Sequence, residues 1–178
     1  MASTSPIINI RQFRDEDLPE VAEIFEYGMM LYASDSVESK AQWVEYIRKS
    51  LKADLADVEG TYMAPGGNFW VATVEDSNGE SKVAGMIGLE PKDNGEAEVR
   101  RVSVHADYQR MGIGRKLMTH LVDWATTHHF KTLILMVSKA EITTVGRLYI
   151  SFGFKIGSTF NFMENPTYKG CWMYKTLA

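Results

Sequence analysis

The feature that most restricts the fold is a pair of Asn-Gly dipeptides, Asn78-Gly79 and Asn94-Gly95, each set between alternating runs of apolar and polar residues. Asn-Gly supplies the two positive-φ positions of a tight hairpin turn, so the flanking runs are expected to pair antiparallel. Asn68 to Glu75, Ser81 to Glu90 and Glu96 to His105 therefore read as three consecutive strands. Ile7 to Phe13 reads as an earlier strand. Asp15, Glu16 and Asp17 then open a helix, where the macrodipole favours carboxylates. That helix carries Leu18, Val21, Ala22, Phe25 and Met29 on one face, and a second, from Val37 to about Asp57, carries Trp43, Ile47, Leu51 and Leu55.

After His105 the period changes. Gly112 to His129 is expected to be helical, with Ile113, Leu117, Leu121, Val122 and Ala125 as its apolar stripe. Lys131 to Ser138 is a short apolar strand suited to a buried position. Glu141 to Phe152 reads as a helix ended by Gly153, and Phe154 to Met163 with Cys171 to Leu177 as a last strand pair. The expected class is α+β: a mixed, mostly antiparallel central sheet flanked by helices. No repeat or linker interrupts it, so residues 7–178 read as one domain behind a mobile tail of residues 1–6.

Composition removes several functions. The formal net charge is −4 and no Lys/Arg cluster forms a basic stripe, which argues against a nucleic-acid partner. No run approaches the ~20 apolar residues of a membrane span, and no basic start followed by an apolar stretch marks a secretory leader. The single cysteine, Cys171, cannot close an internal bridge and points to a reducing, cytoplasmic setting. No Cys/His spacing suits zinc, and His128-His129, adjacent at a helix end, read as dipole complements, so no metal is expected.

Chemistry concentrates in Gln109-Arg110-Met111-Gly112-Ile113-Gly114, where a strand turns into a helix. Glycines at such a turn let the backbone approach a ligand and aim successive N–H groups at one point. The positive end of the helix adds to this, and together they suit a phosphate or pyrophosphate, with Arg110, Arg115 and Lys116 adding charge. A GxG pair alone also fits an ordinary tight turn. Leu117 occupies the third glycine position of a dinucleotide fingerprint, and the triphosphate motif GxxxxGK[ST] is absent.

The stretch from Glu96 to Phe154 resembles the GNAT superfamily of N-acetyltransferases. Gln109 to Gly114 match its Q/R-x-x-G-x-G/A loop, Val99 to Val104 its V/L-R-R-L-x-V strand, and Leu148 to Phe154 its L-Y-x-x-x-G-F ending. Within the superfamily the pattern is most similar to the N-acetyltransferase 8 group, whose members usually carry a membrane-embedding apolar segment that these residues lack. The resemblance implies acetyl-CoA as co-substrate, held by Gln109, Arg110, Met111, Gly112, Ile113, Gly114 and Arg115. It implies further contacts from Val102, Ser103 and Val104, on a strand splayed from its neighbour, and from Ser138. Family members often place Asn, a contact to the pantetheine arm, at the position of Ile142, where this sequence departs from the pattern.

Acetyl transfer to an amine needs a base, because less than ~0.1% of a lysine-like amine is neutral at pH 7. It also needs donors for the charge on the thioester oxygen and a proton for the departing thiolate. Glu98 and Glu96 are the first candidates for the base, with Glu90 and His105 behind them. Glu98 stands where several family members carry a glutamate base, and it also reads as a solvated strand carboxylate beside Arg100. Tyr149 aligns with the family's tyrosine facing the sulfur, and equally reads as an aromatic packed beside Leu148, Phe152 and Phe154. Gly28-Met29-Met30-Leu31-Tyr32 reads as core or as acceptor pocket. The expected acceptor is a small-molecule amine, with homodimerisation allowed for. A protein or peptide acetyltransferase and a non-catalytic CoA-binding module are the alternatives.

Overall fold

The computed structural model describes residues 6–75 and 79–177. Among the described residues, seven strands form one sheet: β1 (Ile8–Gln12), β2 (Asn68–Glu75), β3 (Ser81–Pro91), β4 (Glu96–Val104), β5 (Thr132–Ser138), β6 (Lys155–Asn161) and β7 (Lys169–Thr176). Their order is β1-β2-β3-β4-β5-β7-β6. Every neighbouring pair is antiparallel except β4 and β5, which are parallel. The helices are α1 (Leu18–Met30), α2 (Val37–Lys52), α3 (Ile113–Thr127) and α4 (Val145–Ser151). A parallel pair needs a crossover, and α3 is that crossover.

The second Asn-Gly turn forms as expected, with Asn94 at φ 60° and Gly95 at φ 78°, closed by Lys92 N–H donating to the Glu96 carbonyl at 2.8 Å. Asn78 and residues 1–5 lie outside the described residues, although β2 and β3 pair antiparallel on either side of the first turn. Phe69 to Val74 is buried throughout because both faces of the sheet are covered. Phe69 and Val71 enter a core with Val21, Ile24 and Phe25 of α1, while Trp70, Ala72 and Val74 enter one with Leu117, Met118 and Leu121 of α3.

Two helices are shorter than their sequence suggests. α2 stops at Lys52 instead of near Asp57, and Ala53 leaves helical geometry at φ −104°, ψ −110°. The break lets Asp54 and Leu55 turn into the core, a tertiary gain that outweighs the helix propensity of the segment. A single π-helical turn, Glu59–Met63, follows and buries Tyr62. α4 begins at Val145 rather than Glu141, after a 3₁₀ turn at Lys139–Glu141. There Thr144 Oγ1 donates to the Glu141 carbonyl at 3.1 Å, a side-chain bond that competes with helix continuation.

Candidate active site

The site opens where the parallel pair separates. β4 and β5 stay in register only from Glu96↔Thr132 to Val99↔Leu135. Beyond that, β4 follows β3, ending at Val104↔Gly85, while β5 follows β7, ending at Ser138↔Gly170. The facing edges past Val99 and Leu135 thus lose the pairing they would give each other and border a V-shaped cleft. A bulge sharpens the divergence: Arg101 and Val102 together oppose Ile87, with Arg101 at φ 59°.

The bulge also places two consecutive arginines on the α1/α2 face, where strict alternation allows one. Arg101 donates to both Asp54 oxygens, at 2.8 and 2.6 Å, and lies 4.5 Å from the centre of the Phe25 ring. Tyr62 donates its hydroxyl to Asp54 at 2.5 Å. Burial opposes charge on both partners, but the bidentate bond prevails, holding the Asp54 carboxyl below the usual carboxylate range and Arg101 above its ordinary value. Arg100 turns to Glu90 at 2.5 Å, and Lys92 bridges Glu90 at 2.7 Å and Glu98 at 3.1 Å.

At the far end of β4 the chain enters the glycine loop. His105 accepts at Nδ1 from the Asp107 N–H, capping a 3₁₀ turn at Ala106–Tyr108. Arg110 at φ 63° and Gly112 at φ 79° then turn the backbone into α3. Nothing lies within 4 Å of the point a Gly112 Cβ would occupy, so its glycine is required by conformation and leaves the helix start open. The N–H groups of Ile113, Gly114 and Arg115 occupy the first turn of α3, which has no intrahelical acceptors. Gly112 and Arg115 are exposed at this helix start, with Ile113 buried beneath and Gln109 and Arg110 exposed beside it, an arrangement that suits an anion such as pyrophosphate. Arg115 is partly committed elsewhere: it donates to Ser151 Oγ at 3.2 Å and lies over the Phe152 ring.

Between cleft and helices is a cavity of about 1000 Å³. Of the residues singled out in the sequence, Glu98, Val102, Ser103, Ser138 and Tyr149 line it. Val104 does not; its side chain packs into the α3 core, close to Gly114. Gln109 to Arg115 lie outside it, at the end of β4. Glu96 opens with Glu98 into a separate shallow depression, and neither Glu90 nor His105 lines the cavity. Among the candidate bases, Glu98 alone reaches it.

Tyr149 is 5% exposed and packs edge-on against Phe154, and its hydroxyl has no hydrogen-bond partner among the described residues. Burial, reinforced by the Glu141 charge, pushes its phenol well above the ordinary value, so the hydroxyl keeps its proton at neutral pH. Glu141 was not singled out in the sequence. It accepts from the Tyr32 hydroxyl at 2.6 Å, across a sequence separation of 109 residues that local reasoning could not bridge. Met29, Leu31 and Tyr32 line the cavity, while Met29 and Met30 also pack on the α1/α2 core, so the Met-rich stretch serves both purposes. Trp43, read as a core residue of α2, borders the cavity as well. The β6–β7 loop is fastened over it: Phe162 stacks on Trp43, Tyr168 and Ser39 share a hydrogen bond of 2.5 Å, and Asn165 donates to Gln42 at 3.1 Å. Among the described residues there is no cluster that could hold a metal and no helix long and apolar enough to cross a membrane.

Residues 32–154 match the acetyltransferase (GNAT) family. The chain is 30% identical over 134 residues to N-acetylaspartate synthetase of Xenopus tropicalis, covering 74% of this chain and 45% of that protein. It is 29% identical over 123 residues to N-acetyltransferase 8 of Homo sapiens, covering 66% and 52%. It thus spans about half the length of the curated relatives it matches. Its fold is shared with a GNAT-family acetyltransferase of Staphylococcus aureus (TM-score 0.73, 20% identity, 97% of this chain and 100% of that one). It is shared too with the ribosomal-protein-S18-alanine N-acetyltransferase of Escherichia coli (TM-score 0.63, 21% identity, 97% and 95%). A family match over more than half its length, on a sheet splayed at β4 and β5 with a glycine loop at the end of β4, makes this chain a member of the GNAT acetyltransferase family.

Proposed function

We propose that the chain is an acetyl-CoA-dependent N-acetyltransferase that acetylates the primary amine of a small molecule by direct attack within a ternary complex. The observation that carries this reading is the opening of one cavity, bearing both a carboxylate and a protonated phenol, onto the splay between β4 and β5. Acetyl-CoA supplies, when bound, an activated acetyl group and a thiolate leaving group. The first-turn N–H groups of α3 and the loop from Gln109 to Gly114 hold its pyrophosphate. The unpaired edge of β4 at Val102 to Val104 offers main-chain donors to the charge that develops on the thioester oxygen. Glu98 takes a proton from the amine as the N–C bond forms, directly or through water, and Tyr149 gives its proton to the sulfur as the C–S bond breaks. Lys92 orients the Glu98 carboxylate.

A small acceptor suits a cavity over which the β6–β7 loop is fastened to α2. The names of the relatives, N-acetylaspartate synthetase and N-acetyltransferase 8, are in keeping with amine acetylation. A single cysteine, buried and free, suits a cytoplasmic setting. The test is thiol release from acetyl-CoA against a panel of amines, run with Glu98→Gln in parallel. We expect kcat near pH 7 to fall about 100-fold in the variant, recovering in part at high pH, where more of the amine is already neutral. Acetyl-CoA binding without turnover of any amine would leave only a CoA-binding module.

A further inference from the structure

The acceptor side of the cavity has a chemistry of its own. Tyr32 just past α1, Trp43 of α2 and Phe162 of the β6–β7 loop form a row of nearly parallel rings. The Tyr32 and Trp43 rings lie 5.3 Å apart at 24°, and those of Trp43 and Phe162 lie 5.8 Å apart at 26°. Tyr46 and Tyr168 stand edge-on to Trp43, at 5.7 and 5.4 Å. Trp43 is only 4% exposed among these rings, and all five residues border the cavity.

One end of this row is anionic. Tyr32 carries its hydroxyl to Glu141 Oε2, and the other Glu141 oxygen has no partner among the described residues. Burial, then this bond, pushes the Tyr32 phenol up, so it remains the donor. Glu141 also exerts its charge on Tyr149, which ties this end of the pocket to the place where the thioester would be opened. Four cationic side chains line the cavity. Arg101 is bidentate on Asp54 and Arg100 is paired with Glu90, whereas Lys139 and Lys169 have no carboxylate partner among the described residues.

Resting on the acetyltransferase reading above, we infer that the acceptor is an arylalkylamine: a primary amine on a short linker to a flat aromatic body. Its nitrogen lies at Glu141, and its ring packs on the row of Tyr32, Trp43 and Phe162. Offset stacking rewards a planar body here beyond what burial of apolar area alone supplies.

The test compares tryptamine, tyramine and phenethylamine with aspartate and a lysine-containing peptide, following kcat/KM by thiol release. In parallel, phenethylamine is titrated calorimetrically into the chain alone and into its CoA complex, and acetyl-CoA is titrated by itself. We expect the arylalkylamines to exceed aspartate and the peptide by about 10-fold or more in kcat/KM. Glu141→Gln should raise KM for tyramine about 10-fold with kcat little changed, the signature of lost ground-state binding. Preference for aspartate or the peptide would overturn the inference while leaving an acetyltransferase. Absence of phenethylamine binding would overturn it whatever acetyl-CoA does. Failure of acetyl-CoA itself to bind would remove the reading on which it rests.

Discussion

Asp54→Asn is the sharpest test of how the cleft is held open. The substitution keeps the size of the side chain and one acceptor oxygen, but removes the charge that faces Arg101. Both side chains are 6% exposed, so the guanidinium would stay buried with the Phe25 ring and a long contact to the Tyr46 hydroxyl, 3.4 Å away. Leaving one member of a buried ion pair uncompensated costs about 3–5 kcal/mol, and the retained amide oxygen places this change near the lower end. With a urea m-value of about 2 kcal/mol/M, the unfolding midpoint should fall by roughly 1.5 M. The Asp54 carboxyl has a depressed pKa when folded, so its contribution is present above the unfolded value of ~3.9 and disappears as pH falls through the folded one. The gap between parent and variant should therefore be flat from about pH 5 to 8 and close below about pH 4. Replacing both partners, Asp54→Leu with Arg101→Met, should recover much of the loss, since no buried charge is orphaned. A midpoint within about 0.3 M of the parent at pH 7, with unchanged m, would refute this account of the bulge.

Two further outcomes address the cofactor side. Gly112→Asp should weaken acetyl-CoA binding by about 2 kcal/mol or more in a calorimetric titration, because it sets a negative charge at the phosphate cradle. Gly112→Asn, which tolerates the same left-handed backbone, should bind nearly as the parent does, so an equal loss in both would assign the effect to strain at φ 79°. Tyr149→Phe should lower kcat by about 10- to 1000-fold with acetyl-CoA affinity almost unchanged, because the proton is needed only as the C–S bond breaks. That deficit should be constant from about pH 6 to 9, since burial keeps the phenol protonated throughout, and it should shrink for thioesters of more acidic thiols.

The parts of this protein readable from its sequence are those decided within a few residues. The Asn94-Gly95 turn follows from two positive φ angles that these residues adopt at low cost, and it sets β3 against β4. Gly112 was identifiable for the same reason, and with it the start of α3 and the cradle at the end of β4. What tertiary structure decided are the features whose partners are distant in the chain. Nothing near Lys52 announces that α2 must end there; the helix breaks because Asp54 meets Arg101, 47 residues on, in a buried pair that a continued helix would forgo. The same pair turns Arg101 to the face of Arg100, against the alternation of a strand, and so helps to separate β4 from β5. Glu141 looked like the first residue of a helix and became the anionic end of a pocket only because Tyr32, on the opposite side of the cleft, reaches it. Local sterics wrote the turns and the glycine loop into the sequence, whereas the cleft and its acceptor wall arise from long-range burial and charge pairing that no short window of residues contains.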